Sequence, residues 1–173
     1  MNTHRAKEHC LPSQRLAFIQ AVRRSRSFLK YWLPVLAWMF LIFSASSDTL
    51  SSQRTSRIIG PLLRWLKPDI SEETLYRVQY AVRKAAHMAE YAVLAVLMWR
   101  AWRQPVKGDP RPWLWREAGL VLVGCLIYAA SDEVHQAFVP SREARIGDVV
   151  FDATGAALGL LAWWLLGCWR KVW

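Results

Sequence analysis

The chain has 173 residues, 54% of them hydrophobic, yet it carries 23 lysines and arginines against 13 acids, a formal net charge of +10. The charges fall in blocks between apolar runs, which suits a membrane protein whose loops meet anionic headgroups. It argues against nucleic-acid binding, where basic residues form a polar face of their own. Three cysteines without CxxC spacing, Cys10, Cys125 and Cys168, are poor material for a disulfide framework and read as packing residues.

Residues 1–27 read as a basic cytoplasmic tail and residues 28–173 as one membrane domain without internal repeats. The first apolar run, YWLPVLAWMFLIFSASS at 31–47, holds no charge. About thirty residues precede it, more than the n-region of a signal peptide holds, so it reads as a retained transmembrane helix. In the loop that follows, Ile58, Ile59, Leu62, Leu63 and Leu66 recur at helical spacing, with Arg57 and Arg64 on another face. This spacing predicts a short amphipathic helix that either lies on the membrane surface, with Trp65 at headgroup level, or packs on the bundle. Pro68 and Asp69 end it. Ser71, followed by Glu72 and Glu73, opens a further helix, and Leu75, Val78 and Val82 carry its period into the second apolar run at 85–102.

The third run, 118–131, is too short, since a span needs about 20 residues. It reaches length only by continuing through DEVHQAFV to Pro140, which puts Asp132, Glu133, His135 and Gln136 at membrane depth. The fourth run, 149–169, contains one acid, Asp152. The expected fold is all-α and polytopic, with four transmembrane helices plus a surface-lying amphipathic segment in the first loop. Of the 23 lysines and arginines, fourteen fall with the two termini and the second connection and nine on the other side, which places both termini in the cytoplasm. Trp32, Trp99, Trp102, Trp113, Trp115 and Trp169 are expected to cluster at that inner interface.

Polar residues then gather at the outer end. Lys84, His87 and Tyr91 lie three and four apart and form a stripe with Glu90 beside it. Asp132 aligns with His135 and Gln136, and Glu133 lies about 100° round the helix. Asp148 and Asp152 share a face, and Gly155-x-x-x-Gly159 lets another helix approach and press the acids against it. A metal site lacks HExxH or an equivalent pairing, so neither metal nor cofactor is expected. A serine nucleophile lacks a GxSxG turn, and serines at membrane helix ends commonly bond backbone carbonyls. Two chemistries fit better. Glu90 and His87 make an acid–base pair able to move protons, and Lys84, Arg142 and Arg145 suit a phosphate or carboxylate.

The pattern Lys84-x-x-His87-x-x-Glu90-Tyr91, then Asp132-Glu133-x-x-Gln136-x-Phe138-x-Pro140-x-Arg142, then Asp148-x-x-x-Asp152-x-x-Gly155 resembles the VanZ-like family. FSASSD, at 43–48, is similar to the serine-rich end of that family's first span. Three features depart from the family pattern: Ser141 stands where glycine is common, Asp152 where asparagine is common, and the basic tail is long. The resemblance implies a small bacterial inner-membrane protein. It also suggests a link to glycopeptide tolerance of the teicoplanin type, known for the family's namesake. The expected function is to bind or modify a lipid-linked or cell-wall component at the outer face. His87, Glu90, Asp132, Glu133 and Asp152 would be catalytic. Lys84, Tyr91, His135, Gln136, Arg142, Arg145 and Asp148 would contact substrate. Enzymatic activity stays open, because the same groups suit a non-catalytic scaffold or accessory protein of an envelope polysaccharide or glycolipid pathway. The partners expected are membrane lipids or a lipid-linked envelope precursor, with a second copy of the chain or a pathway protein as a further candidate, and no nucleic acid.

Overall fold

The computed structural model describes residues 13–46, 52–105, 109, 111–138 and 146–173. These residues form five helices, in order α1 (Ser13–Ser46), α2 (Ser52–Leu66), α3 (Glu72–Arg103), α4 (Trp115–Ala137) and α5 (Ile146–Trp169). No strand occurs among the described residues. Among the described residues three segments are long and apolar enough to cross a membrane: Phe28–Ser46 of α1, Trp115–Ala137 of α4 and Gly147–Trp169 of α5. The expected second span is the latter part of α3, a 32-residue helix that begins well before its apolar run. The extra length comes from its start: the Ser71 hydroxyl caps Thr74 N–H, and Glu72 and Glu73 occupy the positive first turn. The helix stops at Gln104, whose backbone turns left-handed and whose N–H closes on the Arg100 carbonyl.

Other boundaries refine the expectation. The helix α1 reaches back to Ser13, so half of the basic tail is continuous with the first apolar run. As expected, α4 gains its length by taking in Asp132, Glu133, His135 and Gln136, but it ends at Ala137, before Pro140. Residues 139–145, including Arg142 and Arg145, lie outside the described residues. The short helix of the first loop also forms and ends ahead of Pro68. One side of α2 meets α3, where Arg64 pairs with Glu72 at 2.6 Å, while Leu62, Trp65 and Leu66 point outward.

The four long helices alternate in direction. At one end the Tyr31 hydroxyl of α1 donates to the Pro105 carbonyl just beyond α3 at 2.6 Å, and at the other Ser46 of α1 reaches Asp132 of α4. The tightest pairing joins α3 and α5. A Cβ at Gly155 would lie 2.6 Å from the Met88 Cα, and one at Gly159 2.6 Å from the Ala92 Cα, so only hydrogen at these positions permits this approach. Between the helices lie Val35, Ile42, Tyr91, Leu94, Ala95, Cys125, Ala129 and Leu160. Outward faces carry Phe40, Ile127 and Val150, apolar surface that hydrocarbon solvates without cost. Hydroxyls on the outward sides of these helices bond backbone carbonyls: Ser44 to Phe40, Ser131 to Tyr128 and Thr154 to Val150.

Candidate functional site

At the end where α1 and α4 finish and α5 begins, four helices contribute polar side chains. The centre is Asp132, 2% exposed. Its Oδ2 accepts from the Ser46 hydroxyl at 2.7 Å and from Gln136 Nε2 at 2.9 Å. The second bond follows from i,i+4 spacing within α4, whereas the first crosses between helices. Ser46 is fully buried, so it departs from the carbonyl-bonding habit of its neighbours and is a member of the site that motif reading passed over. The FSASSD end of α1 was its only signal. Asp132 Oδ1 is buried and hydrogen bonds to nothing among the described residues. The same holds for the Tyr91 hydroxyl of α3 and for His135 Nε2 of α4, whose ring stacks on Phe43 at 4.1 Å.

Asp152 of α5 and Glu133 of α4 are buried as well. Asp152 is carried inward by the close α3–α5 approach at Gly155 and Gly159, as the GxxxG spacing anticipated. It lies within electrostatic range of His87, Lys84, Asp132 and Asp148, and Tyr91 within range of Asp132 and Asp152. Around this core runs a partly open rim. His87 Nδ1 stands 3.3 Å from Glu90 Oε2, one helical turn on. Lys84 of α3 forms an ion pair with Asp148 of α5 and sits over the rings of Tyr80, at 5.2 Å, and Phe151, at 5.7 Å. Trp38 of α1 donates its indole N–H to the Glu90 carbonyl at 2.9 Å, holding that turn of α3 against α1. Ten of the twelve residues expected to form a site therefore share one end of the bundle, and Arg142 and Arg145 lie outside the described residues.

The arrangement combines two chemical elements. A carboxylate next to an imidazole can orient the ring and support proton transfer. Buried polar atoms with unused bonding capacity, Asp132 Oδ1 and Tyr91 Oη among them, can take a hydroxyl or amine.

The opposite end of the bundle was anticipated only as an interfacial tryptophan belt. Trp99, Trp113 and Trp115 do gather there, but Trp163, Trp164 and Trp173 join them, and Trp102 and Trp169 stay exposed. Trp99 is 1% exposed and stacks on Trp113 at 5.0 Å, so it is a core residue. Beside it Arg103 is buried, with its guanidinium 5.2 Å from the Trp99 ring. It donates to the Arg111 carbonyl, and Arg111 Nη2 returns a bond to the Arg103 carbonyl at 2.8 Å. Arg111 also grips Asp109 with Nε and Nη2 at 2.6–3.1 Å, and these hydrogen bonds pull the Asp109 carboxyl down to about 2. Trp99 and Arg103 stand four apart, a spacing that puts them on one face of α3 and that reading the tryptophans as a belt overlooked.

The VanZ/LLP1 family model matches residues 31–167, from the start of the first apolar run to the last turn of α5. No curated protein and no solved structure matches the chain. The matched region takes in every residue of the charged cluster, and the chain belongs to the VanZ/LLP1 family.

Proposed function

We propose that the charged end of the bundle faces the outer side of a bacterial inner membrane and binds or modifies a lipid-linked or cell-wall component there. In this reading α3 is the fourth span, both termini are cytoplasmic, and α2 rests its Leu62, Trp65 and Leu66 side on the membrane surface. The observation that carries the reading is the buried group of Ser46, Tyr91, Asp132, Gln136 and Asp152, contributed by four helices and left, among the described residues, with no hydrogen bond at Asp132 Oδ1 and Tyr91 Oη. Polar groups at membrane depth are costly, and helix docking alone needs only a few of them. His87 and Glu90 would carry protons, with Glu133 and Asp152 in the same reacting group. Lys84, His135, Gln136 and Asp148 would hold the substrate, with Arg142 and Arg145 as candidates for its anionic part. Altered glycopeptide binding at the cell surface, as in teicoplanin tolerance, would be one consequence of such an activity.

A second reading is favoured by Lys84–Asp148 and Ser46–Asp132, each of which joins two helices. These contacts are what a non-catalytic scaffold for an envelope pathway would use. A modifying activity separates from binding and from scaffolding in lipid and cell-wall-precursor profiles, measured by mass spectrometry on cells expressing wild type or Glu90→Gln at matched protein level. A species present or lost only with wild type is the expected result. Identical profiles from the two strains would leave the binding and scaffold readings standing.

A further inference from the structure

A cavity of about 540 Å³ opens at the tryptophan end of the bundle, between the C-terminal turns of α3 and α5. Arg103, on its wall, lies about 24 Å along α3 from His87, at 1.5 Å per residue, so the cavity is separate from the charged cluster. The wall carries four cations, Arg103, Arg111, Arg170 and Lys171, against one acid, Asp109. Its apolar side is made by Trp99, Trp163 and Trp173.

Two further observations narrow the ligand. The first is the charge on the wall. Arg103 is held within it, its Nη2 donating to the Arg111 carbonyl, its Nη1 3.6 Å from Glu117 and its Nε 3.8 Å from Asp109. Arg111, Arg170 and Lys171 are exposed, and the one acid beside them is Asp109, so the surplus of cations calls for an anion with acceptor oxygens. The second observation is a groove of about 330 Å³ on the α3–α5 face, formed by Val93, Val96, Leu97 and Ala162. Trp163 and Leu166 line both the groove and the cavity, so the two adjoin at these side chains on the α3–α5 face. A free phosphate would use the chamber and leave the groove empty. An amphiphile uses both.

We propose that this end of the bundle is a binding site for an anionic phospholipid, its phosphate held by Arg111, Arg170 and Lys171 and one acyl chain laid in the α3–α5 groove. The inference is independent of the activity proposed for the charged end.

The test is a titration of the detergent-solubilised full chain, read by intrinsic tryptophan fluorescence, with short-chain phosphatidylglycerol, short-chain phosphatidylcholine and inorganic phosphate. Phosphatidylglycerol is expected to saturate the signal with an affinity about tenfold or more above that of the zwitterionic lipid. Arg170→Gln with Lys171→Gln should weaken it about tenfold, and Ala162→Phe, which fills the groove, by a similar factor. All three positions are exposed, so thermal melting of these variants is expected to match wild type. Equal affinity for the two lipids would overturn the proposal, as would variants that bind like wild type. Inorganic phosphate binding as tightly as phosphatidylglycerol, unaffected by Ala162→Phe, would replace the lipid with a free anion.

Discussion

Asp132 and Asp109 are both held by hydrogen bonds, and their surroundings give those bonds different meanings. Asp132 receives Ser46 and Gln136 on one oxygen inside the bundle, and among the described residues nothing bonds the other. That asymmetry is the basis for assigning it to a site. Asp109 lies in the connection between α3 and α4, where Arg111 saturates both its oxygens. Its carboxyl is thereby depressed from the ordinary 3.8 to about 2. A group depressed on folding stabilises the folded state above its unfolded value and ceases to do so as pH falls through the folded one. The stability difference between wild type and Asp109→Asn should therefore be constant above pH 5. It should shrink below about 4 and vanish near 2, as followed by thermal melting across that range.

At the level of helices, the α3–α5 contact has the least tolerance. Gly155 and Gly159 bring backbone against backbone, and the same approach seats Asp152 in the cluster. Gly155→Leu must push the helices apart, with an expected loss of about 1–3 kcal/mol from overpacking. Function should fall with it, because Asp152 loses its place. Gly119 of α4 is the contrast, with nothing within 4 Å of an added Cβ. Gly119→Ala should be neutral or stabilise by roughly 0.5–1 kcal/mol, through the helix preference of alanine alone. Thermal unfolding in detergent distinguishes the two, and a tolerated Gly155→Leu would mean that the helices are less closely held.

For the whole molecule, one bundle keeps two polar regions apart across its apolar length: acids, histidines and Ser46 at one end, arginines and tryptophans at the other. If α3 crosses the membrane with the other three long helices, Asp69 and Phe138 share the outer side, and Arg116 and Val172 the inner. Cysteines introduced one at a time at these positions, with Cys10 and Cys168 replaced by serine and the buried Cys125 kept, report this through an impermeant maleimide. Asp69→Cys and Phe138→Cys should label in intact bacteria, and Arg116→Cys and Val172→Cys only after permeabilisation. Labelling of Asp69→Cys and Arg116→Cys from the same side would remove α3 from the spans.

Much of this was legible in the residues taken in order. Apolar runs marked the helices, because hydrocarbon forces backbone groups to pair within a segment. Ser71 and Pro68 marked their limits through local capping and the missing proline N–H. Spacings of three and four placed Lys84, His87, Tyr91, Asp132 and Gln136 on shared faces, because helical geometry is local. Contacts between helices were not legible in this way. That Ser46 reaches Asp132 rather than its own carbonyls depends on how α1 docks beside α4. That Arg103, Trp163 and Trp173 enclose a cavity depends on where α3 ends relative to α5. Such pairings join residues 60–90 positions apart, as Ser46 and Asp132 are, and the packing of whole helices decides them.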